Sequence, residues 1–246
     1  MARDNATYSA GIMAGGKGTR LSAPNGSKGF VEVGGRPLIE HVLGQLEVAG
    51  ISKVLIAGQS QDHLLKSFVE RLNRSARFDE VEFVATDDAP GTGGAVRRIA
   101  EHFRGIAHVI STIDVIAPLH MTRDLINFAA GLDDSALSVV VGTPLLHDAD
   151  PLWVQVGGDH RIVTAFGKDI EPTDLVFGNV RWFSSAAGDA LETLDLSAGP
   201  YRDSLIMKKL IVTYPESVRV FKCQPVFDID DWTDVTLAEE WLQSSS

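Results

Sequence analysis

The chain has 246 residues, with 22 basic and 33 acidic side chains and a formal charge of −11. That length suits one α/β domain, or at most two small ones, with a full hydrophobic core; a composition 44% hydrophobic and 22% charged excludes wholesale disorder. The acidity argues against nucleic-acid binding over a broad surface, yet leaves room for an anionic small molecule held by local cations or a metal.

Cys223 is the single cysteine, which excludes an internal disulfide framework and a cysteine-rich metal site and points to a reducing cytoplasm. Arg3, Asp4 and Asn5 do not fit a secretory leader. No stretch approaches the roughly 18 apolar residues of a membrane span.

Tyr8–Ala14 reads as a first strand, followed by a Gly/Ser/Pro-rich loop over Gly15–Gly29 and a short strand over Phe30–Val33. Pro37 stands at the first turn of a helix in which Leu38, Ile39, Val42, Leu43 and Leu46 recur at helical spacing, and Gly50 ends it. Lys53–Ala57 is a buried strand, Gln59–Leu72 a helix, Val81–Ala85 a strand, Gly94–Phe103 a helix and Ala107–Ile113 a strand. Leu125–Ala130 lies within a helix, and Leu137–Val141 is a β-branched strand. This alternation predicts a mostly parallel sheet covered on both faces.

Beyond Pro151 the texture changes. Trp153–Val156 and Ile162–Phe166 flank Gly157-Gly158 as a hairpin, and Val176–Phe183 is a further strand. Helices follow at Ser184–Leu194 and Asp203–Leu210, then a strand at Val218–Phe221 and a last helix after Asp230. With no linker, repeat or low-complexity segment, 1–246 reads as one domain: a nucleotide-binding half over about 1–150 and an acceptor-binding half over about 151–246.

Ala14-Gly15-Gly16-Lys17-Gly18-Thr19-Arg20 directly follows the first strand. Glycines there let backbone N–H groups approach a phosphate, and Lys17, Arg20 and Lys28 add three cations; the glycines alone fit a solvated surface loop equally well. A Walker A loop fails because Gly18 stands where a metal-binding Ser or Thr is needed, and a dinucleotide fingerprint fails because its third glycine position is Leu21.

The run Gly15-Gly16-Lys17-Gly18-Thr19-Arg20-Leu21, then Lys28, then Val33-Gly34-Gly35-Arg36-Pro37-Leu38-Ile39, closely resembles the nucleotidyltransferases that make sugar nucleotides. Molybdopterin guanylyltransferases and polyol-phosphate cytidylyltransferases share a looser version. The resemblance implies a three-layer α/β/α, Rossmann-like (glycosyltransferase-A-like) fold with a mostly parallel mixed central sheet. It also implies an Mg²⁺-dependent reaction between an NTP and a phosphorylated small-molecule acceptor such as a sugar phosphate. Gly91-Thr92-Gly93-Gly94 resembles the family's second glycine segment, against base and ribose, and Thr86 falls near its base-reading position. Ala14, Gly15, Gly16, Lys17, Gly18, Thr19, Thr86, Gly91, Thr92 and Gly93 are thus the candidate nucleotide-binding residues.

Asp114 follows the strand Ala107–Ile113, at the carboxyl end where open α/β sheets bind ligands. The family places its first metal carboxylate there after a glycine; here the preceding residue is Ile113. The run Phe227-Asp228-Ile229-Asp230-Asp231 resembles the family's closing acidic segment, so Asp228 is expected as the second metal carboxylate with Asp230 as its competitor. Asp231 equally suits a cap for the last helix. Lys168 resembles the family lysine that contacts the sugar phosphate, although Gly167 replaces the preceding glutamate, and Gly178 and Asn179 resemble the acceptor strand. Arg20, Lys28 and Asp114 are the expected catalytic residues.

The seven histidines show no metal-binding spacing and are expected in surface or core roles. Asp148 and Asp150 read as solvated loop residues, and an exposed Trp153 or Trp182 would mark a face between copies of the chain. Two other readings remain at this point: a nucleotide-binding regulatory module with a degenerate site, favoured by Ile113 and Gly167, and a glycosyltransferase that consumes nucleotide sugars. For the latter, Asp228-Ile229-Asp230 lies unusually far along the chain.

Overall fold

The computed structural model describes residues 8–16, 19–23, 26–88, 91–147, 150–158, 161–195 and 202–245. In chain order the elements are β1 (Tyr8–Met13), β2 (Glu32–Val33), β3 (Arg36–Pro37), α1 (Leu38–Val48), β4 (Ile51–Gly58), α2 (His63–Arg74), β5 (Glu80–Ala85), α3 (Thr92–His102), β6 (His108–Thr112), β7 (Val115–Ile116) and α4 (Met121–Ala129). Then come β8 (Ser138–Thr143), β9 (Trp153–Val156), β10 (Val163–Gly167), β11 (Val176–Phe183), α5 (Ala187–Thr193), α6 (Asp203–Thr213), β12 (Val218–Lys222), β13 (Phe227–Asp228) and α7 (Trp232–Ser244).

Nine strands form one mixed sheet. β5, β4, β1 and β6 lie side by side and parallel, β11 joins β6 antiparallel, and β8 pairs with both β11 and the parallel β12. β9 and β10 extend it as an antiparallel pair. The strands after β1 step to one side, to β4 and β5, whereas β6 returns to β1's other flank. That reversal opens a crevice at the carboxyl ends of β1 and β6, where such sheets bind ligands. The apolar side chains of α1, α2 and α4 close one face, those of α3, α5 and α6 the other. The sequence-predicted three layers and mostly parallel mixed sheet are present.

The boundaries differ where local chemistry overrides periodicity. α2 starts at His63, not Gln59, because the Asp62 carboxylate accepts from Leu65 N–H and caps it; Gln59–Gln61 are left in the loop after β4. The expected strand over Phe30–Val33 is divided into a 3₁₀ turn at Lys28–Phe30 and β2, which pairs with β3 across Gly34 and Gly35. Both glycines have positive φ (60° and 73°), as a two-residue hairpin turn requires. α3 begins two residues earlier than its apolar pattern suggests, at Thr92. Trp153 and Trp182 are partly buried, so neither marks an open face; Trp232 is the exposed one.

Two polar groups are embedded in this core. The Arg181 side chain in β11 is 0% exposed; it makes a bidentate pair with Asp203 at the start of α6 and lies 4.7 Å from the Phe177 ring centroid. His108 in β6 is 2% exposed between Phe103 and Phe183, and its Nδ1 lies 2.8 Å from the Ile106 carbonyl. Burial pushes His108 down to about 4, with the Ile106 hydrogen bond opposing the shift only partly.

Removing one partner of a buried pair strands the other charge. Asp203→Ala should therefore cost about 3–5 kcal/mol in urea unfolding, and Arg181→Met with Asp203→Leu should recover most of it. In the unfolded chain His108 protonates near 6.5, whereas the folded ring resists until about 4. Its contribution is thus intact above pH 6.5 and is lost as pH falls through that window, by about 3 kcal/mol in total. Unfolding free energies of His108→Phe should show a flatter dependence between pH 6.5 and 4 than the parent chain.

Candidate active site

Two separate stretches of chain meet at the crevice. Asp114 sits just beyond β6, and the ribbon of β7 with β13 pairs Val115 with Asp228 and Ile116 with Phe227. The Asp114 carbonyl also accepts from Ile229 N–H at 3.1 Å. This ribbon brings the acidic run of residues 228–231 against Asp114. One carboxylate oxygen each from Asp114, Asp228 and Asp230 lies within 4.8 Å of the others.

Lys28 reaches into this cluster from its 3₁₀ turn. Its Nζ lies 2.6 Å from Asp114 Oδ2 and 2.6 Å from Asp230 Oδ1, with its side chain only 7% exposed. Burial is the largest single influence and favours the neutral amine. The charges of Asp114 and Asp228 and the hydrogen bonds to Asp114 and Asp230 together outweigh it, holding the ammonium above the usual lysine range. Arg20 approaches from the solvent side, Nη1 3.7 Å from Asp230 Oδ2, with a largely exposed side chain.

Asn179 belongs to the same site. β11 breaks register between Phe177 and Arg181, and Asn179 within this irregularity has φ +57°. The bulge directs its Nδ2 to Asp228 Oδ2 at 2.7 Å. Asp231 makes the expected helix cap: Oδ1 accepts from Thr233 and Asp234 N–H, and these backbone bonds hold its carboxyl below the ordinary range.

Two cavities flank the cluster. One of about 440 Å³ is lined by Gly15, Gly16, Gln59, Gln61, Thr86, Asp87, Gly91, Thr92 and Asp114, among others. The other, about 240 Å³, is lined by Arg20, His147, Asp150, Lys168, Asn179, Asp228 and Asp230, among others. Ala14 and Thr19 line a neighbouring hollow that shares Gly15 and Gly16 with the first. Lys17 and Gly18 lie outside the described residues, as does Asp148. Gly93 is buried in the first turn of α3, and Gly178 packs against Val141 and Val226, lining only a small side hollow. The Thr92 hydroxyl accepts from Asp203 N–H at 3.1 Å.

Gln59, Gln61, His147 and Asp234 line these cavities without having stood out in the sequence. The two glutamines reach the cavity from the loop because Asp62, three residues beyond Gln59, caps α2. Asp87 lies beside the candidate Thr86 and accepts from Ser60 N–H through both oxygens, at 3.2 and 3.0 Å. Asp150 is paired with Lys168 rather than merely solvated.

The sequence also matches the family model for the MobA-like NTP transferase domain over residues 10–201. The chain belongs to this family. Asp228 and Asp230 lie beyond the matched residues and reach the site through the β7–β13 ribbon. Among curated proteins, the chain is similar to a mannose-1-phosphate guanylyltransferase of Mycobacterium tuberculosis, 28% identical over 172 residues, 67% of this chain and 45% of that protein. It is also similar to the bifunctional protein GlmU of Cellvibrio japonicus, 29% identical over 52% of this chain and 26% of that one. A glucose-1-phosphate cytidylyltransferase of Salmonella typhimurium is 28% identical over 38% of this chain and 44% of that one. The chain spans less than half the length of each. A Bacillus anthracis structure described as a glucose-1-phosphate thymidylyltransferase in complex with sucrose shares the fold, with a TM-score of 0.80, 15% identity and coverage of 96% of this chain and 95% of that one.

The donor set fits a divalent cation of the Mg²⁺ type: all ligands are carboxylate oxygens, and Asp114 Oδ1 is buried with no hydrogen-bond partner among the described residues. Lys28 already holds Asp114 Oδ2 and Asp230 Oδ1, and its positive charge repels a second cation among these carboxylates. Lys28→Met should therefore bind Mn²⁺ without nucleotide about tenfold more tightly than the parent chain, a gain of about 1.4 kcal/mol. The same ion should raise its melting temperature more; an Mn²⁺ titration followed by electron paramagnetic resonance and thermal melts checks both.

Proposed function

We propose that this chain is a nucleotidyltransferase that condenses an NTP with a sugar phosphate, giving an NDP-sugar and pyrophosphate in an Mg²⁺-dependent reaction. The observation that carries this reading is the carboxylate trio Asp114, Asp228 and Asp230, gathered around Lys28 between two cavities. The glycine loop and the residues of the larger cavity suit a nucleotide; the smaller cavity, with Lys168, suits a phosphorylated acceptor. A cytoplasmic location is proposed with it, on the single cysteine and the use of an NTP.

In the proposed step an acceptor phosphate oxygen attacks the α-phosphorus of the NTP. A new P–O bond forms, the α–β phosphoanhydride bond breaks, and pyrophosphate leaves with that bond's electron pair. Such a transfer needs positioning and charge neutralisation more than covalent participation. Arg20, exposed at the cluster's rim, meets the triphosphate and steadies the leaving pyrophosphate. Lys28 exchanges its carboxylate partners for α-phosphate oxygens as charge builds there. Lys168 holds the acceptor phosphate, and Asn179 fixes the Asp228 carboxylate. Asp114, Asp228 and Asp230 would hold Mg²⁺, which supplies neutralisation of the nucleotide phosphates when bound.

The test is a pyrophosphate-release matrix of the four NTPs and dTTP against sugar, polyol and cofactor phosphates, with Mg²⁺. Release is expected with one NTP and a sugar phosphate. Asp114→Asn and Arg20→Ala should each lower kcat/KM by about a hundredfold or more while the circular dichroism spectrum is unchanged. Full activity in either variant overturns that residue's assignment; best turnover with a polyol or cofactor phosphate overturns the sugar-phosphate reading.

A further inference from the structure

The buried Arg181–Asp203 pair reaches the larger cavity through one backbone group. Asp203 opens α6 and is 5% exposed, its carboxylate held by both terminal nitrogens of Arg181. The N–H of a first helical residue has no acceptor within its own helix. Here it donates to Thr92 Oγ1 at 3.1 Å. Thr92 is the first residue of α3, is exposed, and lines the larger cavity beside Gly91. No helical turn precedes it to offer a carbonyl to its hydroxyl, so the Asp203 N–H selects its rotamer. A hydroxyl that accepts from an N–H turns its own proton away from that donor. Among the described residues no acceptor takes the Thr92 proton.

We propose that Asp203 is a positioning residue for the nucleotide. Its backbone N–H, fixed by the pair with Arg181, sets the Thr92 hydroxyl as a donor to an oxygen of the nucleoside, a base carbonyl or a ribose hydroxyl. The inference rests on the nucleotide reading of the larger cavity and adds to it a support from α6, in the half of the chain assigned to the acceptor. Charge decides between nucleoside and triphosphate. The described residues lining this cavity include Asp87 and Asp114 but no lysine or arginine, whereas Lys28 and Arg20 stand at the carboxylate cluster. Such a wall suits the uncharged part of an NTP.

The N–H contributes in two ways. It holds one rotamer before the ligand arrives, so less ordering remains to be done on binding. It also polarises the hydroxyl, which strengthens the hydrogen bond that the hydroxyl donates. A contact that served only to pack α6 against α3 would give neither effect, and this separates the two roles experimentally.

The test is isothermal titration calorimetry of the full chain with Mg²⁺ and whichever of the four NTPs and dTTP binds tightest, with pyrophosphate as a second probe. Thr92→Val keeps the shape and removes the hydroxyl. It should weaken NTP binding about tenfold and leave pyrophosphate binding unchanged, and Thr92→Ser should recover most of the loss. With the 2′,3′-dideoxy form of the nucleotide, a loss that persists places the oxygen on the base and a loss that disappears places it on the ribose; both support the proposal. Proline suits the first position of a helix and lacks the N–H, and the extended Arg202 before it, with ψ 144°, is compatible with it. In an Arg181→Met background, Asp203→Pro should bind NTP about fivefold more weakly than Asp203→Leu, and adding Thr92→Val should erase that difference. In the parent chain, saturating NTP should slow hydrogen exchange at the Asp203 amide about tenfold. Parent NTP affinity in Thr92→Val, an equal loss of pyrophosphate binding, equal NTP affinities of the proline and leucine variants, a difference that survives Thr92→Val, or unchanged exchange at Asp203 overturns the proposal and leaves the transfer reading intact. NTP binding that follows these expectations without transfer to any phosphorylated acceptor overturns the transfer reading alone. No NTP binding by the parent chain overturns both.

Discussion

The Lys28 ammonium is the interaction around which the site is assembled. Three carboxylates with oxygens within 4.8 Å of one another repel strongly, and partial burial deepens the cost. A cation among them turns that repulsion into cohesion. Here the cation comes from a loop 86 positions before Asp114 and 202 before Asp230, so one side chain fastens the glycine loop, the end of β6 and the segment leading into α7. The fold supplies the rest of the encounter. The parallel strands deliver Asp114 to the crevice, and the two-residue ribbon of β7 with β13 delivers Asp228. The lysine thus keeps the carboxylate cluster in shape, and its charge sets the electrostatic cost of placing a second cation there.

The second constraint runs through β11. Asn179 adopts φ +57° where the strand's register breaks, a conformation Asn tolerates better than most residues. Two positions on, Arg181 is buried and paired with Asp203, whose backbone N–H donates to the Thr92 hydroxyl. The bulge that aims Asn179 at Asp228 is thus held close to the sheet's firmest polar anchor. That anchor also touches the helix start lining the larger cavity, so the two cavities share support from behind as well as a carboxylate cluster between them.

Much of this was legible in the sequence because it follows from local rules. The strand–helix alternation through β8, the glycine loop after β1 and the placement of Asp114 beyond β6 depend on periodicity and on where such sheets bind ligands. The gathering of Asp228 and Asp230 beside Asp114 was expected from resemblance, while the ribbon responsible for it is too short to leave a periodic signal. Gln59 and Gln61 were hidden because Asp62 stops the helix from extending back over them, a capping effect that apolar spacing does not register. His147 carries no pattern of its own; its partner lies 87 positions away in another element. The Arg181–Asp203 pair was invisible for a similar reason, since a charged residue in a strand pattern ordinarily points to solvent.

The two departures from the family pattern have different physical consequences. Ile113 replaces the expected glycine before Asp114, yet it is buried against Gly29: a Cβ added at Gly29 would lie 2.3 Å from Ile113 Cδ1. The bulk gained at one position is accommodated by the absence of a side chain at another, directly beside Lys28, so the carboxylate–lysine geometry survives. Gly167 is not offset in this way. Its φ is +139°, and an added Cβ would meet Lys208 Cε at 2.6 Å and Asp169 Oδ1 at 2.9 Å. This backbone cannot carry a glutamate there without rearrangement. Lys168 is instead paired with Asp150, so the partner of this lysine comes from the segment before β9 and not from its own strand.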